Sequence, residues 1–115
     1  MNLLGIDFED WYHPEFVQKY ISGDKCNPEV VNGIDIILEL LRKNDTLATF
    51  FVVGELLEFK PELFDSILDN GHEIAFHTMK HTRLDSTNFK EIFENEIKNF
   101  DNLTNGKSKG FRAPS

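Results

Sequence analysis

At 115 residues, 40% of them hydrophobic and 28% charged, the chain has room for one domain with a sizeable core, supplied in part by eleven phenylalanines. A formal net charge of −8 leaves no basic stripe to neutralise phosphates, which argues against nucleic acid as a partner and against an anionic membrane surface. The single cysteine, Cys26, cannot close an internal disulfide, no apolar run approaches the ~20 residues of a membrane span, and Met1–Ile6 lacks a basic leader, so a cytoplasmic location is expected.

In chain order, residues 2–8 read as a short, fully buried strand. A loop follows over 11–27, through Gly23-Asp24, with a helical turn at Glu15–Tyr20. Pro28 at a first helical position, then Val30, Val31, Ile34, Ile37, Leu38 and Leu41, predicts a helix that Asn44-Asp45 closes. Thr46–Val53 is a continuous apolar strand ending at Gly54. Pro61–Asn70 predicts a second helix with Leu63, Phe64, Ile67 and Leu68 inward and Gly71 at its end. His72–Phe76 is a third strand. Thr87 or Asn88 opens a third helix to about Leu103, whose stripe of Phe89, Ile92, Phe93, Ile97 and Phe100 is expected in the core. Lys109–Arg112 begins a fourth strand. Four strands alternating with three helices are the grammar of a parallel α/β sheet.

Two clusters fall where buried strands end, which is where such sheets bind ligands. His77 and His81 stand four apart, a spacing that on a helical turn puts both imidazoles on one face. Neutral imidazole is a common metal ligand, and a carboxylate would complete a facial set. Asp7, Glu9 and Asp10, directly after Leu3–Ile6, are the candidates. Trp11 and Tyr12 beside them could stack on a ligand ring or simply cover the rim. His13 and His72 are candidates for supporting contacts or for bland core and surface roles. Glu91, Glu94, Glu96 and Asp101 read as a solvated helix face.

The ordered motifs Asp7-Phe8-Glu9-Asp10-Trp11, His77-Thr78-Met79-Lys80-His81 and Arg112-Ala113-Pro114 resemble those of the polysaccharide deacetylase family (NodB homology, carbohydrate esterase 4). The D-x-E-D-W form of the first motif is closest to one subgroup. Thr49–Gly54 and Gly71–Ile74 resemble the family's second strand and the approach to its histidines. The resemblance implies a (β/α) barrel, of which residues 1–115 would be the N-terminal part, truncated to about four strands and three helices. It also implies metal-dependent hydrolysis of carbon–nitrogen bonds, removing N-acetyl groups from sugars or polysaccharides of the cell surface. Asp10, His77 and His81 would hold a divalent metal, most often zinc in this family. Aligned on the family's T-F-D-D, Glu9 becomes the general base and Asp10 the ligand. Carboxylates two apart would instead make Asp7 the base and Glu9 the ligand. Asp10 is favoured as ligand here, with Asp7 and Glu9 as rival bases oriented by Arg112.

Later family motifs, including the acetyl-methyl pocket and a further histidine serving as general acid, have no counterpart in these residues. Two alternatives therefore stand beside the deacetylase. One is an allantoinase-like cyclic amide hydrolase. The other is a metal-binding but inactive fragment needing the rest of the barrel, its open sheet favouring a homo-oligomer.

Overall fold

The computed structural model describes residues 2–21 and 26–115; the loop expected at Gly23-Asp24 lies outside them. Three short parallel strands, β1 (Gly5–Phe8), β2 (Thr49–Val52) and β3 (Glu73–Phe76), form one sheet in the order β1-β2-β3. Gly5 pairs with Thr49 and Thr49 with Glu73, so the strands run in step and their carboxyl ends meet at one rim.

One sheet face is covered. Phe8, Phe50, Val52, Ile74 and Phe76 point into a core shared with α2 (Ile34–Lys43), α3 (Gly54–Phe59) and α4 (Glu62–Asp69). Each of α2 and α4 buries a stripe at three- and four-residue spacing, Ile34, Leu38 and Leu41 in one and Leu63, Phe64 and Ile67 in the other. A 3-10 turn, Val30–Gly33, leads into α2, and Gly71 follows α4 at φ +85°, a left-handed turn that a glycine enters without strain. On the other face Gly5, Asp7 and Glu73 are exposed while Thr49 and Phe51 are half-buried.

Four expectations need correction. The first strand is not buried throughout, since only Phe8 is enclosed and Leu3 is 89% exposed; β1 pairs with β2 alone among the described residues. The fourth strand is reduced to one parallel bridge, Phe76 to Phe111, held by Lys109 N–H to Ile74 O, Gly110 O to Phe76 N–H and Arg112 N–H to Phe76 O. Pro114, which cannot donate to a ladder, follows at once. Two additional short helices occur, α1 (Glu15–Gln18), anticipated as a turn, and α3, which begins where β2 was expected to end. Of the stripe on α5 (Phe89–Leu103), only Phe100 is fully buried, whereas Phe89 and Ile97 face solvent.

Candidate metal centre

β1 and β3 flank β2, so the segments leaving their carboxyl ends converge across it. Glu9 sits one residue past β1 and His77 one residue past β3. The chain from His77 to Thr82 is not a helical turn, contrary to the spacing argument. Thr78 (φ 63°) and His81 (φ 56°) are both left-handed, which costs non-glycine residues on the order of 1–2 kcal/mol each. Bonds within the loop and from neighbouring helices hold it in that shape. The Thr78 hydroxyl donates to the His77 carbonyl (2.6 Å) and accepts from Thr82 N–H (2.7 Å). The first amides of α3, Gly54 and Glu55, donate to the Thr78 and Met79 carbonyls (both 2.9 Å). Gly54 lets the two segments approach closely, because a Cβ there would crowd the end of the Met79 side chain and force it to shift.

The result brings Glu9, His77 and His81 together. Glu9 Oε2 lies 2.8 Å from His81 Nε2 and 3.6 Å from His77 Nε2, and the three ligand atoms all fall within 4.8 Å of one another. Among the described residues this is the group of such side chains that could hold a metal ion. His77 Nδ1 lies 2.7 Å from the Arg112 carbonyl. A carbonyl only accepts, so that nitrogen carries a proton and Nε2 is the ring atom turned toward Glu9. Glu9 Oε2 and His81 Nδ1 are buried without a hydrogen-bond partner. A buried carboxylate oxygen that faces two imidazoles at ion-pair distance without a well-formed hydrogen bond suits a divalent cation. Burial pulls His77 down, but the Glu9 carboxylate, the Arg112 carbonyl and the charge of Asp7 outweigh it and leave its pKa raised. For His81, burial prevails, and with His77 and His13 nearby its pKa falls despite Glu9.

Asp10, favoured as a ligand from the sequence, does not join this group in the structure. Although adjacent to Glu9 in sequence, it points away, and its oxygens are taken up by backbone. Oδ1 accepts from Trp11 N–H (2.9 Å), and Oδ2 accepts from the amides of Glu29 and of Val30 (2.8 Å). Asp10 thus caps, from outside, the 3-10 turn that leads into α2. Its own N–H donates to His13 Nδ1 (2.7 Å), and the other ring nitrogen of His13 lies 2.5 Å from Glu55 Oε1. His13 is therefore a buried tether between the β1 loop and α3. His72 is also structural: its Nδ1 accepts from Ala48 N–H (3.1 Å).

Asp7 and Arg112 meet beside the cluster, with Arg112 Nη1 2.6 Å from Asp7 Oδ1. The guanidinium rests 3.9 Å above the Phe51 ring, close over Gly5, where a Cβ would come 2.6 Å from Nη2. Arg112 thus serves both halves of the site, its carbonyl orienting His77 and its side chain holding Asp7. The single β-bridge at Phe111 puts it there. One residue escaped the sequence reading. Glu96, expected on a solvated face, accepts from Met79 N–H and from the Thr82 hydroxyl (both 2.8 Å). Its half-buried position among exposed Glu91, Glu94 and Asp101 has no signature in composition or spacing.

The polysaccharide deacetylase family model matches residues 19–115. A peptidoglycan-N-acetylglucosamine deacetylase of Bacillus cereus is 33% identical over 103 residues, covering 79% of this chain and 37% of that protein. A chitooligosaccharide deacetylase of Bradyrhizobium is 35% identical over 69 residues, 60% of this chain and 28% of the relative. The solved structure described as T48 deacetylase with substrate shares the fold with a TM-score of 0.66 at 25% identity, over 97% of this chain and 48% of that one. The chain therefore spans less than half the length of each. The family match begins downstream of Asp7–Trp11, yet the fold carries Asp7 and Glu9 to the histidines that lie within it. With 97 of its 115 residues inside that match, and strands and helices laid out as in the family's solved barrels, the chain belongs to the polysaccharide deacetylase family.

Proposed function

We propose that this chain carries the metal-binding and base-bearing part of a hydrolase that removes N-acetyl groups from sugars of cell-surface polysaccharides. Glu9, His77 and His81 would hold the cation, and one carboxylate with two imidazoles is the donor set that zinc accepts in hydrolytic sites. When bound, such a cation supplies a Lewis acid for a carbonyl oxygen and a water of lowered pKa. The chain's own residues do the rest. Asp7 stands on the open sheet face with Oδ1 held by Arg112, leaving it placed to take a proton from a nucleophilic water. Arg112 fixes that carboxylate's rotamer through a charge-assisted bond. Trp11, 56% exposed and two residues past Glu9, offers an apolar face to a pyranose ring. The relatives named for deacetylating N-acetylglucosamine polymers favour that substrate class.

The observation that carries this reading is the orphaned Glu9 oxygen facing His77 and His81. The test is zinc content of the purified chain together with acetate release from N-acetylglucosamine oligomers, for wild type and Asp7→Asn. Zinc bound near stoichiometry, with acetate release that the substitution lowers by about 100-fold or more, is expected, the range for loss of a general base. A folded chain that takes up no zinc refutes the reading.

A further inference from the structure

The geometry points to Glu96 as a positioning residue for metal binding: from α5, outside the ligand set, it fixes the loop that carries both imidazoles. This rests on the site proposed above. Between His77 and His81 the backbone passes through Thr78 and Met79 with left-handed Thr78 and His81, a shape few side chains favour on their own. Bonds inside the loop satisfy the Thr78 hydroxyl and the His77 carbonyl, and the first amides of α3 satisfy the Thr78 and Met79 carbonyls, which leaves the Met79 amide to be met from α5. Glu96 Oε2 accepts that amide, and Oε1 accepts the Thr82 hydroxyl one residue beyond His81. A single carboxylate therefore grips the loop at two points, one between the two histidines and one just past them. The grip is firm because α5 is anchored. Phe100 is fully buried and its ring packs 4.8 Å from that of Phe76, the residue immediately before His77. Glu96 touches neither imidazole in any recorded bond, so its influence on a cation runs through backbone geometry.

Two mechanisms can be separated. If Glu96 acted by adding negative charge near the cation, glutamine would be as damaging as alanine. If it acts by holding the loop, glutamine substitutes well, since its carbonyl oxygen can accept the Met79 amide and its NH2 can donate to the Thr82 hydroxyl. Supporting contacts of this kind are worth about 10- to 100-fold in metal affinity.

The experiment is zinc titration against a chromophoric chelator for wild type, Glu96→Gln, Glu96→Ala, Thr82→Val and His81→Ala, with thermal melting of each metal-free protein. Glu96→Ala should weaken zinc by about 10- to 100-fold, Thr82→Val by several-fold, and Glu96→Gln should stay within about three-fold of wild type. Should Glu96→Ala not fold, Thr82→Val and Glu96→Gln decide. Wild-type affinity in a folded Glu96→Ala or in Thr82→Val overturns the inference, as does Glu96→Gln losing as much as alanine. His81→Ala separates the levels: if it binds as tightly as wild type, the metal site itself is wrong, whereas if it fails to bind while the Glu96 and Thr82 variants bind normally, only the role of Glu96 falls.

Discussion

The segments leaving β1 and β3 use the same residue types for opposite purposes. After β1, Glu9 is left unsatisfied at the rim, whereas Asp10 and His13 spend every recorded polar contact on the protein itself. After β3, His77 and His81 face the rim, and the carboxylate that supports them, Glu96, comes from a distant helix. A histidine or carboxylate is therefore assigned by whether the fold already satisfies it. Asp10 already accepts three backbone amides. Glu9, with an orphaned oxygen, is a ligand candidate.

The largest effect that can break this contrast lies at the histidines. His77→Ala/His81→Ala should take zinc from about one equivalent per chain to background by elemental analysis, because two of the three donors of the site are gone. On the other side of the contrast, Asp10→Ala should lower stability by about 0.5–2 kcal/mol in urea unfolding, since it removes the acceptor that caps the part-buried amides of Glu29 and Val30. Gly54→Ala comes next. A Cβ there meets Met79 and Phe100, so overpacking of about 1–3 kcal/mol and weaker zinc binding are expected together, read by melting and titration.

The smallest effect is on acid stability. Burial lowers the pKa of His72, and protonation would remove the lone pair that accepts Ala48 N–H. Below about pH 6.5 the unfolded chain then holds more protons than the folded one. Stability is thus complete above that pH and is lost as pH falls through the depressed folded value. His72→Asn, which keeps an acceptor but does not titrate, should flatten this acid limb in melts between about pH 5 and 8.

Most of the architecture was legible in the chain. The apolar run around Phe50 and the helical stripes of Ile34–Leu41 and Leu63–Ile67 each carry a period that burial enforces. So was the pairing of two histidines with an N-terminal carboxylate, because strand ends in a parallel sheet share a rim. The choice among Asp7, Glu9 and Asp10 was not. Neighbours along an irregular segment point in directions set by tertiary partners, here the Glu29 and Val30 amides, which lie 19 and 20 residues downstream. The left-handed loop escaped for a similar reason. Thr78 and His81 have no intrinsic preference for it, and contacts from α3 and α5 impose it. The exposed face of β1 escaped because Leu3-Leu4 looks apolar whether or not anything covers it.

The central claim is that Glu9, and not its neighbour Asp10, completes the site with His77 and His81. Zinc titration of Glu9→Gln and Asp10→Asn side by side, each checked for folding by circular dichroism, tests it most directly. The account predicts that Asp10→Asn binds zinc as wild type does while Glu9→Gln binds it at least about 10-fold more weakly. Zinc lost in a folded Asp10→Asn and retained in Glu9→Gln would contradict it.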